Sequence, residues 1–156
     1  MSELHVGDVA PNFSSVDQDG QPVSLASLAG KVVVLYFYPK DDTPGCTKEA
    51  CAFRDMQSVF ADAGAVIYGV SRDSADAHQK FRAKYTLNFP LLVDEDSQIC
   101  EAYGVLKEKN MFGKTSIGIE RTTFVIDAAG KIAAVFPKVK VDGHADEVLA
   151  AVKAAQ

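Results

Sequence analysis

The stretch YPKDDTPGCTKEAC, Tyr38 to Cys51, concentrates the groups of this chain that could do chemistry. It holds two of the three cysteines, Cys46 and Cys51, five residues apart. Thr43 suits a helix N-cap and Pro44 the first helical position, which makes Cys46 the third helical residue. N–H groups in a first turn have no intrahelical acceptor, so they can donate to a thiolate or to an oxygen lying over the helix end. The helix dipole also favours negative charge there, by about 0.3–1 kcal/mol at an exposed site. One pKa unit is about 1.4 kcal/mol, so a helix end alone lowers a thiol by less than about one unit. Asp41, Asp42 and Glu49 work against it if close, and Glu49 is the worst placed, because position i+3 shares a helix face with Cys46.

A cation is therefore required. A full charge about 4 Å away contributes up to roughly 4 kcal/mol at an effective dielectric of about 20, enough to outweigh the helix end. Lys40, Lys48 and Arg54 are near in sequence, while Arg72 and Arg121 could arrive from neighbouring strands. Arg121 is the most suspicious, because it opens the apolar run RTTFVID, where a charge is costly unless paired. A solvated strand-end arginine explains it equally well.

The cysteine spacing carries its own constraint. Five helical residues mean about 7.5 Å of rise and roughly 140° of rotation, which puts the Cα atoms about 8–9 Å apart. A disulfide needs them within about 7 Å. Cys46 and Cys51 cannot bond while the helix is intact. Either Cys51 is a packed helix residue beside Phe53, or the helix unwinds to let it react; spacing by itself favours packing. Zinc is weaker, since no further ligand pair completes a C-x4-C set. Cys100, among Ile99, Ala102 and Val105, reads as a small core thiol.

Elements must hold these groups in place. Lys31–Pro39, KVVVLYFYP, is a continuous β-branched and aromatic run, the mark of a strand buried on both faces. The helix behind Cys46 continues through Phe53, Met56, Phe60 and Ala63 and stops at Gly64. Ala65–Ser71 is a second buried strand, Ser74–Tyr85 an amphipathic helix, Phe89–Asp94 a strand, and DSQICEAYGV a short helix capped by Asp96 or Ser97. NFSSVDQDGQPVSL forms two strands around Asp19-Gly20, and Arg121–Phe136 a hairpin turning at Asp127–Lys131. KEKNMFGKTSIG reads as a polar loop and HADEVLAAVKAA as a closing helix. The alternation predicts an α/β sandwich, one domain over residues 1–156.

Composition narrows the function classes. With 47% hydrophobic residues the 156-residue chain can bury a core. A net charge of -5 gives nucleic acid or an anionic membrane no electrostatic support. No apolar run reaches about 18 residues, so no membrane span is expected. The first residues, MSELHVGDVAPNF, lack the pattern of a secretory signal, which makes the cytoplasm the expected location. Three cysteines are too few, and odd in number, for a disulfide scaffold. GKT at Gly113–Thr115 fails as a phosphate loop, because Glu108 stands where the leading glycine belongs. His5, His78 and His144 have no metal-ligand spacing and read as surface residues. Asp94-Glu95-Asp96 is most simply a connection, with metal binding the lesser reading.

PKDDTPGCTKEAC resembles the peroxiredoxin signature Pro-x-x-x-Thr-x-x-Cys, here Pro39, Thr43 and Cys46. The following TKEAC is similar to the Q-type, bacterioferritin-comigratory-protein-like subgroup. GDVAPNFSSVDQDGQPVSLASLAGKVVVLYFYP and ERTTFVIDAAGKI extend the likeness over nearly the whole chain, the latter to the strand carrying the family's arginine, here Arg121. The resemblance implies a thioredoxin-like α/β fold, with a central mixed sheet flanked by helices and an N-terminal hairpin. It implies thiol-dependent reduction of hydrogen peroxide and organic hydroperoxides, with Cys46 peroxidatic and Cys51 resolving it into an intramolecular disulfide. Thr43, Pro39 and Arg121 would complete the site, with Glu49 orienting Arg121. It implies no metal, haem or flavin. Thioredoxin or a similar dithiol protein would be the reductant, and the enzyme a monomer or weak homodimer. A protein thiol–disulfide oxidoreductase is disfavoured by the lack of C-x-x-C, and a redox-sensing module is the non-enzymatic alternative.

Overall fold

All six side chains of β3 (Val32–Phe37) are buried, so the strand is covered on both faces. Period-2 alternation divides them: Val32, Val34 and Tyr36 enter one core, Val33, Leu35 and Phe37 the other. The structure, a computed structural model, describes residues 4–156. β3 lies near the centre of a seven-stranded mixed sheet that also contains β1 (Ser14–Asp17), β2 (Pro22–Ser24), β4 (Ala65–Ser71), β5 (Leu91–Val93), β8 (Thr122–Ile126) and β9 (Ile132–Phe136). The order is β2-β1-β5-β4-β3-β8-β9. β3, β4 and β5 run parallel; β1 and β2 form the N-terminal hairpin, and β8 pairs antiparallel with β3 and β9.

Helices α1 (Pro44–Asp62) and α4 (His144–Ala154) cover the first face, joined by α2 (Ala75–Tyr85) through Phe81. α3 (Gln98–Ala102) and the N-terminal segment cover the second. α1 is seated by Phe53, which is fully buried and stacks on Tyr36 with ring centroids 4.8 Å apart. Phe53→Ala is the single change that would unseat it, at about 3–5 kcal/mol. Gly64, with φ +79°, supplies the left-handed residue that ends α1.

Three expectations need correction. The polar loop is a ribbon, β6 (Leu106–Met111) paired antiparallel with β7 (Lys114–Ile119) around Phe112-Gly113, both at positive φ. Its signal is hidden because most β7 side chains face water, so no buried apolar stripe marks the strands. His78 and His144 are buried, not on the surface; each ring finds two partners, Asp41 and the Leu92 carbonyl for His78, Thr123 and Glu147 for His144. At α3 the chief cap is Asp94, which accepts from Ile99 N at 2.9 Å and Cys100 N at 2.8 Å. Ser97 makes no capping bond, and Asp96 accepts from Gln98 N.

Candidate active site

The loop leaving β3 runs straight into α1 and sets the site at the C-terminal end of that strand. Thr43 takes the N-cap position in extended conformation, and Pro44 opens the helix. Thr47 N is the first to donate back along it, to Thr43 O. Pro44 has no N–H, so the free donors of the first turn are those of Gly45 and Cys46. The Thr43 hydroxyl does not cap; it donates to Lys40 O at 2.8 Å and keeps its lone pairs for another donor. Pro39 is half-buried in the same loop.

The register of β8 on β3 brings in the cation. Phe37 pairs with Thr122, so Arg121 comes level with Tyr38, where the loop to α1 begins. Arg121 Nη2 donates to Cys46 Sγ at 3.3 Å, and Nη1 to Glu49 Oε1 at 2.7 Å. Cys46 and Glu49 are each 1% exposed. Both lie on one face of α1, a turn apart, which is what the i+3 spacing dictates. Burial pushes the Glu49 carboxyl up to about 7, against the pull of Arg121. Glu49 Oε2 and the Tyr36 hydroxyl are buried without a hydrogen-bond partner.

Gly45 is a site residue that the sequence reading missed. A Cβ there would stand 3.2 Å from Arg121 Nη2, so its absence lets the guanidinium lie across the first turn. The available signal was a glycine in a first helical turn, where helix propensity argues against it.

Three of the other candidate cations are engaged elsewhere: Lys48 with Asp142, Arg54 with Asp55 and the Tyr85 carbonyl, Arg72 with the Ile117 carbonyl. The feared carboxylates are likewise occupied. Asp41 accepts from the Tyr38 hydroxyl at 2.5 Å and meets His78 Nδ1 at 2.6 Å; Asp42 accepts from Lys84 Nζ and the Tyr85 hydroxyl, both at 2.8 Å. Asp41 N donates to Asp73. Asp41, Asp73 and His78 bring metal-ligand atom types within 4.8 Å of one another, yet these atoms are bound to each other and to Tyr38 and Ser71. The network ties the loop to α2 and β4.

All three cysteines are free. Cys51 is half-buried within the same continuous helix as Cys46, so the two thiols are held apart. Cys100 is fully buried; desolvation, then Asp94, drives its thiol far above the ordinary range, which makes it inert.

The model of the AhpC/TSA family matches residues 6–135. The chain belongs to the AhpC/TSA family. Among its relatives, Peroxiredoxin Bcp of Escherichia coli strain K12 is 48% identical over 149 residues, covering 96% of each chain. Peroxiredoxin Bcp of Bacillus subtilis strain 168 is 48% identical over 150 residues, again 96% of each. A solved structure described for the alkyl peroxide reduction activity of the Xanthomonas campestris bacterioferritin comigratory protein is 46% identical, with a TM-score of 0.89 over 97% of this chain and 96% of that one. This peroxiredoxin therefore has the thioredoxin-like fold and the enzyme class that its sequence led one to expect. A peroxide and a thiol reductant are its reactants.

Proposed function

We propose that Cys46 is the peroxidatic thiol and Cys51 the thiol that resolves it. The Cys46 thiolate attacks one oxygen of hydrogen peroxide or an organic hydroperoxide; the O–O bond breaks and Cys46 becomes a sulfenic acid. Arg121 and the first-turn N–H groups stabilise the thiolate and the peroxide oxygens as charge moves between them. The Thr43 hydroxyl offers its lone pairs to the peroxide, Pro39 forms the pocket wall, and Glu49 holds Arg121 in place. The first turns of α1 then unwind, and Cys51 condenses with the sulfenic acid, releasing water. A dithiol protein such as thioredoxin reopens the disulfide by exchange.

One observation carries this reading: the Arg121 guanidinium is shared between Cys46 Sγ and Glu49 at the first turn of α1. The alkyl peroxide reduction described for the Xanthomonas campestris protein supports organic hydroperoxides as substrates. Phe53 is fully buried and Arg54 is bonded to the Tyr85 carbonyl, which supports an unwinding confined to the residues before them. We further read residues 1–156 as one domain acting as a monomer or weak homodimer. The cytoplasm suits it, because its thiol pool keeps such cysteines reduced.

Turnover tests the reading. With a dithiol reducing system the protein is expected to consume many equivalents of peroxide, and Cys46→Ser none. Arrest near one equivalent would make it a sensor instead of an enzyme, and undiminished consumption by Cys46→Ser would remove Cys46 from the reaction.

A further inference from the structure

Two acids share one cation in this site. Cys46 and Glu49 are both 1% exposed, and both bind the Arg121 guanidinium, at 3.3 Å and 2.7 Å. A single positive charge balances a single negative one. If thiolate and carboxylate were present together, one buried negative charge would remain uncompensated, which is strongly unfavourable.

Among the described residues, the titratable groups packed around the pair do not supply the missing charge. Tyr36 on β3 has its hydroxyl driven well above the ordinary range, by burial first and Glu49 next, so it stays neutral. His144 on α4 is lowered by burial and spends its nitrogens on Thr123 and Glu147. Asp41 in the loop is an acid, not a cation, and its carboxyl is taken up by His78 and Tyr38. Meanwhile Glu49 Oε2 is buried with no hydrogen-bond partner, which costs a neutral carboxyl far less than a carboxylate. Burial pushes this carboxyl up to about 7 even beside Arg121.

We propose that Glu49 holds the proton given up by Cys46 and releases it to the oxygen that leaves when the peroxide bond breaks. The inference rests on the reading of Cys46 as the peroxidatic thiol. The resting pair is Cys46–S⁻ and Glu49–COOH. Attack on ROOH forms an S–O bond, breaks the O–O bond and yields Cys46–SOH, ROH and Glu49–COO⁻, with charge and protons balanced. Sulfur is oxidised by two electrons and the peroxide reduced by two. Loss of the thiolate charge leaves Arg121 wholly to the new carboxylate, so the proton is released at the step that needs it. Reduction of the disulfide returns Cys46 as a thiol, which reprotonates Glu49 and restores the pair.

Proton counting during one oxidation tests this. A weakly buffered sample at neutral pH is oxidised to the disulfide with one equivalent of peroxide, and the uptake is read with an indicator dye. The wild-type protein is expected to take up close to no protons, and Glu49→Gln close to one per site. Equal uptake by both proteins, whether near none or near one, would overturn the proposal. Should Glu49→Gln fail to fold, infrared difference spectra of the wild type decide. A protonated-carboxyl C=O band lost on oxidation supports the proposal, and its absence from the reduced protein refutes it. The reading of Cys46 fails separately, if Cys46→Ser still consumes peroxide.

Discussion

Arg121→Met is expected to slow oxidation of Cys46 by about tenfold to about 150-fold. The magnitude follows from the geometry. A full charge 3.3 Å from a thiolate would contribute about 5 kcal/mol at an effective dielectric of about 20. Glu49 competes for that charge at 2.7 Å, so a charge-assisted hydrogen bond of about 1.5–3 kcal/mol is the fairer figure. Each 1.4 kcal/mol is about a factor of ten in rate. Met preserves the unbranched apolar stem of a side chain that is 17% exposed, so packing changes little. Damage to stability is also contained: Glu49 without Arg121 stays a neutral carboxyl, a form that burial already favours up to about 7. The assay is rapid-quench oxidation with stoichiometric peroxide, read as the mass of the Cys46 peptide, with iodoacetamide alkylation across pH reporting the thiolate. Arg121→Lys keeps the charge without the two-pronged geometry and is expected to recover part of the loss. Unchanged rate and alkylation profile in Arg121→Met would refute the role of the guanidinium.

Cys51→Ser is expected to leave the first oxidation of Cys46 intact while eliminating the intramolecular disulfide; sulfenic-acid trapping with mass analysis reads both. Gly45→Ala favours the helix by up to about 1 kcal/mol, yet its methyl would stand 3.2 Å from Arg121 Nη2; thermal melts are expected to show no loss of stability while peroxide turnover falls. Glu49→Gln tests the buried carboxyl through stability. The folded protein holds the Glu49 proton more tightly than the unfolded chain, from 4.5 up to about 7, so the wild type is stabilised below that window. It loses about 3 kcal/mol relative to Glu49→Gln as pH rises through it, measured as urea midpoints of both proteins against pH.

Much of this site is legible in the sequence because its parts carry local costs. An all-apolar run such as Val32–Phe37 has to be a covered strand, and a proline two residues before a cysteine fixes the helix start and the thiol's seat. An arginine at the head of an apolar strand asks for a partner, and Arg121 has two, Cys46 and Glu49. What stayed hidden depends on distant partners or on faces without contrast. Nothing local to His78 announces Asp41, 37 residues away, and the β6–β7 ribbon lacks the buried stripe that would separate it from a loop. Asp94 caps α3 from four residues before it begins, farther than the usual N-cap position. Gly45 was visible, but its reason, the guanidinium lying over it, belongs to the tertiary structure.

The most direct test of the account is peptide mapping of the protein after one equivalent of peroxide under non-reducing conditions. A single new disulfide joining Cys46 to Cys51 is predicted. Its absence, or a bridge through Cys100, would contradict the account.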